Sequence, residues 1–261
     1  MPGYIRLDAG SSDPTPSRLV LEGVGTFFLA ISLFATSGLT SGRAFGGFDD
    51  DLVIGGLVVG GMLAVWTNLS DGSFHGNPAV SVASLVTQRE MSLWPTFKPP
   101  SPTALQVVGK LTGAQVGAAL LAHVFFNTVL GGTSPKLPIP GGSGQYHWLQ
   151  HLGISAANEA LLVLQLVVTC YSSADGASRG ASYAIALATF GYRGQAVGNP
   201  ALSLGIALGV HVPLVGAGGA GGATLSVIIV RIVAPLLAGL AGGHLSRHLK
   251  DDGTSPTPSA A

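Results

Sequence analysis

The reading turns on Gly76-Asn77-Pro78-Ala79-Val80-Ser81, which returns 122 positions later as Gly198-Asn199-Pro200-Ala201-Leu202-Ser203. Asn is a favoured residue just before a helix, where its side-chain oxygen accepts a first-turn N–H. Proline is favoured at the first helical position, because its missing N–H would have had no partner there. Each copy therefore predicts a helix that starts at Pro78 or Pro200. The run after each proline is apolar but short, Val80 to Val86 in one case and Ala201 to Val212 in the other. Neither run is long enough to cross a bilayer, which takes about 20 residues. A single Asn-Pro-Ala is an ordinary turn or helix start. Two copies, each placed after an apolar span, call for a common explanation.

The rest of the chain supplies the setting. Of 261 residues, 12 are Lys or Arg and 12 are Asp or Glu, so charged residues make up 9%. Soluble domains carry roughly 25%. Mean hydropathy is +0.51, and the 39 glycines follow no collagen period. These values predict an all-α, polytopic membrane protein in which small residues let helices approach closely. Zero net charge without a basic patch argues against nucleic acid as a partner. The one cysteine, Cys170, excludes an intramolecular disulfide and reads as a packed small residue. His123, His147, His151 and His211 show no compact ligand spacing, and no metal site is expected from them. The glycines of 216–222 lack a phosphate-binding pattern, and no nucleotide loop or hydrolytic triad stands out.

Six spans are expected: Leu19 to Leu39, Leu52 to Asn68, Thr103 to Phe126, Ser155 to Tyr171, Gly180 to Tyr192 and Thr224 to Leu245. The Pro/Ser-rich start, 1–18, and the tail, 250–261, read as disordered. Between them lie a first repeat at 19–130, a connecting loop at 131–154 and a second repeat at 155–249. Three crossings per half reverse the direction of the second half. The pattern thus predicts an inverted repeat whose two short segments dip toward the bilayer midplane. Arg89, Lys98, Arg179, Arg247 and Lys250 fall in segments that a cytoplasmic-termini arrangement places inside, while Lys136 and Arg193 fall outside. The Asn77 and Asn199 side-chain oxygens would cap the short helices and leave amide nitrogens to face a polar passage. Two helix N-termini meeting there would place positive dipole ends near the centre and oppose cations.

On these residues the chain resembles the major intrinsic protein family, the aquaporins and aquaglyceroporins. The likeness runs over about 19–249. It is carried by Glu22-Gly23-Val24-Gly25-Thr26-Phe27, His75-Gly76-Asn77-Pro78-Ala79-Val80, Gly113-Ala114 with Gly117-Ala118, Glu159, Gly198-Asn199-Pro200-Ala201, Ser203, and Pro235-Leu236 with Gly239. The resemblance implies a bundle of six transmembrane helices plus two re-entrant half-helices, assembled as a homotetramer in the lipid bilayer. It implies passive movement of water or small uncharged solutes such as glycerol, urea or ammonia, with no cofactor and no covalent chemistry.

The resemblance attaches expectations to particular positions. Glu22 and Glu159 would brace the loops that hold the half-helices. Lys110 stands where the family usually has glutamine and would pair with Glu22 or a loop carbonyl. The family's arginine after the second motif is replaced by Leu202. Ungapped counting places the other wall residues at Leu57, Leu187 and Ala196, which makes the selectivity region four apolar side chains. Such a ring resists wetting if narrow and admits a solute with an apolar edge if wider. His75 would line the pore and titrates near neutral pH; the alternative is a satisfied structural histidine. Arg231 could snorkel to an interface, bind a loop carbonyl or reach the pore mouth in place of the missing arginine. Two other functions compete with the channel. A secondary transporter would need an ionisable site at the midplane, for which Glu22 and Glu159 are the candidates. A structural member of the family would have a closed pore.

Overall fold

Four of the helices open on a proline, as the missing N–H of that residue allows. In the computed structural model, which describes residues 14–37, 50–93, 96–131, 145–172, 175–191, 196–211 and 225–251, these are α1 (Pro16–Ser37), α3 (Pro78–Thr87), α4 (Pro102–Thr128) and α7 (Pro200–His211). The others are α2 (Asp50–Leu69), α5 (Gln145–Ser172), α6 (Gly176–Ala186), continued by a π turn over Leu187–Gly191, and α8 (Leu225–Asp251). Among the described residues, side chains cap four starts: Asn77 accepts from Ala79 N–H, Ser101 from Ala104 N–H, Asp175 from Ser178 N–H and Asn199 from Ala201 N–H. Among the described residues no strand forms, and they make an all-α bundle of eight helices.

Three helices contain stretches long and apolar enough to cross a membrane: Pro16–Thr36, Pro102–Thr128 and Gly153–Ser172. Several apolar helices in one bundle make this a multi-pass membrane protein. Helix α3 has 10 residues. At 1.5 Å per residue it covers about half the hydrocarbon thickness. Helix α7, with 12 residues, is similarly short. Helix α5 begins at Gln145, inside the segment expected to connect the halves, so the connection is shorter than the polar composition of 131–154 suggests. The tails 1–13 and 252–261 and the segments 132–144 and 212–224 lie outside the described residues, as do Lys136 and Arg193.

The packing pairs repeat a pattern. Helix α1 packs on α4 and α5 on α8; α3 packs on α8 and α7 on α4; α1 packs on α2 and α5 on α6. Exchanging the first four helices for the last four maps each of these pairs onto another. The α2–α6 contact maps onto itself. A Cβ added to Gly60 would collide with the Gly180 carbonyl oxygen, and one added to Gly180 would collide with that of Gly60. Only glycine allows the two backbones to approach so closely.

Arg179, expected among the surface charges that orient the chain, is instead buried in α6. Its Nη1 donates to the Gly72 carbonyl at 3.0 Å. It ties α6 to the turn after α2 and carries no exposed charge.

The α2–α6 contact generates a steric prediction. Gly60→Ala and Gly180→Ala should each destabilise the bundle by about 1–3 kcal/mol through overpacking, seen as a lowered melting temperature in detergent micelles. Gly61, whose added Cβ would meet nothing within 4 Å, is the control. Equal melting of the Gly180 and Gly61 variants would refute the close approach.

Candidate functional site

The two Asn-Pro-Ala segments meet inside the bundle and hold each other. Asn77 Nδ2 donates to the Gly198 carbonyl at 2.7 Å, and Asn199 Nδ2 donates to the Gly76 carbonyl at 2.8 Å. Each side-chain oxygen also caps its own helix: Asn77 Oδ1 accepts from Ala79 N–H at 2.9 Å, and Asn199 Oδ1 from Ala201 N–H at 3.1 Å. Both carbonyls that accept across the junction belong to glycines with positive φ, +58° at Gly76 and +62° at Gly198. That backbone conformation favours glycine and turns the carbonyl toward the opposite loop. Both asparagines are buried. A primary amide has two N–H donors, so the cross-link uses one of each pair. The expectation of wholly free amide nitrogens is corrected accordingly.

Each loop is held from behind by a buried carboxylate. Glu22 on α1 accepts His75 N–H at 2.7 Å through Oε1 and Gly76 N–H at 2.9 Å through Oε2. Glu159 on α5 accepts Val197 N–H at 3.0 Å and Gly198 N–H at 2.6 Å in the same way. The equivalence ends at the third contact. Glu22 Oε2 takes a further hydrogen bond from Gln115 Nε2 at 2.9 Å. Glu159 Oε1 faces Arg231 Nη1 at 3.7 Å.

The α4 amide that reaches Glu22 is thus Gln115's. Lys110, which the resemblance put at the family's glutamine, lies half-buried five residues earlier on the same helix. Arg231, 1% exposed, lies beside the loop-bracing carboxylate of Glu159. A buried guanidinium next to a buried carboxylate offsets the desolvation of both.

The four expected wall residues are not brought together. Leu57 is 62% exposed. Gly56 and Gly60 turn toward α6, which leaves Leu57, one position round the helix, facing outward. Leu187 and Ala196 share one apolar cluster, and Leu187 opens the π turn that ends α6. Leu202 is fully buried in another cluster, with Phe34 of α1 and Ala119 and Phe126 of α4. His75 is buried as well; its Nδ1 shares a hydrogen bond with Ser81 Oγ at 2.8 Å, and its Nε2 has no hydrogen-bond partner.

Two tyrosines have no signal in the sequence. Tyr171 donates to the Val80 carbonyl and Tyr183 to the Val197 carbonyl, each at 3.0 Å. Both lie in apolar runs where an aromatic reads as core, and no spacing distinguishes their hydroxyls.

The fold is similar to the X-ray structure of the aquaglyceroporin from Plasmodium falciparum. The TM-score is 0.53 at 18% identity, over 91% of this chain and 98% of that one. No protein-family model and no curated relative matches the chain. At this identity the likeness shows the fold alone.

The Glu159–Arg231 pair can be measured. Glu159→Gln and Arg231→Met each leave an uncompensated buried charge, expected to cost about 3–5 kcal/mol. The double variant should cost less than the sum by at least about 1 kcal/mol. Strict additivity in thermal unfolding would show that the two groups do not interact.

Proposed function

We propose that the chain is a member of the major intrinsic protein family and a passive transmembrane channel for water or small uncharged solutes such as glycerol, urea or ammonia. The observation that carries this reading is the reciprocal Asn-amide-to-glycine-carbonyl junction at the N-termini of α3 and α7. It places two short helices end to end inside an apolar bundle, which is useful where backbone must stop at membrane depth and face a polar passage. The remaining amide hydrogens of Asn77 and Asn199 can donate to a passing oxygen, and the helix ends oppose cations. In this reading α3 and α7 are the re-entrant half-helices and the other six helices span, as an inverted repeat. The exchange symmetry of the packing pairs supports that assignment.

The same network weighs against an ion-coupled transporter. Such a protein needs a carboxylate free to bind and release its coupling ion, and Glu22 and Glu159 are engaged by two backbone N–H donors each. Neither carboxylate implies a reaction, and the proposed channel performs no covalent step. For selectivity, we take Leu187 and Ala196, which share one apolar cluster before the second motif, as the apolar lining; Leu202 packs against α1 and α4 instead. Leu57 on the outer face, with Ile54 and Val58, suits lipid or a neighbouring subunit in a homotetramer.

Stopped-flow light scattering on proteoliposomes tests the proposal. Water, glycerol, urea or ammonia should equilibrate well above the rate of protein-free liposomes, without dependence on ion gradients. Asn77→Leu and Asn199→Leu should each lower that flux at least tenfold. Saturable uptake against a gradient, or flux no faster than empty liposomes, would overturn the channel reading.

A further inference from the structure

The last turns of α8 carry a feature that the channel reading does not use. His244 and His248 are four residues apart, which puts them on one face of the helix. Their Nε2 atoms are 3.3 Å apart. The ring centroids are 4.7 Å apart, with the planes at 89°. The nitrogens are closer than the rings, so the two Nε2 edges face each other and share a hydrogen bond whose proton a metal ion would replace. His248 is exposed and His244 half-buried.

The geometry points to a two-histidine site for a late first-row divalent transition metal. At metal–nitrogen distances of about 2.05 Å, nitrogens 3.3 Å apart subtend about 107° at a common metal. That is close to the tetrahedral angle and accessible to five-coordinate sites. Neutral imidazole suits Cu(II), Ni(II) and Zn(II), whereas Mg(II) and Ca(II) prefer oxygen. Water completes the coordination, since no group of three or more His, Cys, Asp or Glu side chains converges among the described residues. Arg247 precedes His248 and leaves the helix about 100° round from it. The spacing is legible as His244-x-x-x-His248, but only the helix places both nitrogens at chelating distance. A metal held there would clamp the last turn of α8, beside the end of α3, against which Gly243 packs at Ala83 and Val86.

The test uses the full chain without a histidine tag, purified in detergent micelles and titrated with Cu(II) by calorimetry and electron paramagnetic resonance. His147 and His151, the other pair with this spacing on α5, are kept in every protein so that any equivalent bound there stays constant. The unaltered chain should bind one equivalent of Cu(II) more than either His244→Gln or His248→Gln. It should follow the order Cu(II) above Ni(II) and Zn(II), and it should show no response to Mg(II). Saturating Cu(II) should raise its melting temperature by several degrees more than that of the variants. An unchanged stoichiometry in His248→Gln overturns the site. So does retention of the extra equivalent in one variant and its loss in the other, because the pairing requires both imidazoles.

Discussion

Two hydrogen bonds, from Asn77 to the Gly198 carbonyl and from Asn199 to the Gly76 carbonyl, set the conditions for the rest of this bundle. A helix that begins inside an apolar interior exposes first-turn N–H groups and a loop with unpaired carbonyls. Leaving such groups buried and unmet costs about 1–3 kcal/mol each. The asparagine answers both needs, with its oxygen serving its own helix and its nitrogen serving the opposite loop. Neither half can meet the cost alone, because each carbonyl is satisfied by the other half. The junction therefore couples the two halves of the chain and explains why the motif occurs twice.

The carboxylates extend the same logic outward. Glu22 and Glu159 each accept two successive backbone N–H groups of the loop before the asparagine. This holds the glycines in the left-handed conformation that aims their carbonyls. The third contact differs, an amide for Glu22 and a guanidinium for Glu159. Two chemically distinct solutions thus support one geometry, and the bundle tolerates that because the loop senses only the position of the carboxylate oxygens. Tyr171 and Tyr183 complete the frame by satisfying carbonyls next to the two junction loops.

Much of this was legible. The repeated motif, the glycine before each asparagine, the two carboxylates and the short apolar runs lie in local sequence and reflect capping chemistry and length. The lining was not. Counting along the chain locates Leu57 and Leu202, but the direction of a side chain is set by helix rotation. Gly56 and Gly60 fix that rotation for α2 by facing α6, and a shift of one residue turns a side chain by about 100°. The resemblance favours Lys110 over Gln115 for the same reason. Arg231 is recognisably costly in lipid, but its counter-charge is 72 positions away in sequence and nothing local names it.

By itself, then, the sequence determined that the chain is a helical membrane protein with two internal helix starts, since composition, length and caps are properties of single segments. The tertiary structure decided what those starts face. It paired each asparagine with the other loop's glycine, gave Glu22 a glutamine and Glu159 an arginine, faced Leu57 outward, and put Leu202 in a different cluster from Leu187 and Ala196. The physical reason is that hydrogen-bond and charge partners in a bundle are chosen by the rotation and close approach of whole helices. Those depend on small residues such as Gly60 and Gly180 meeting across the fold, which no single segment encodes.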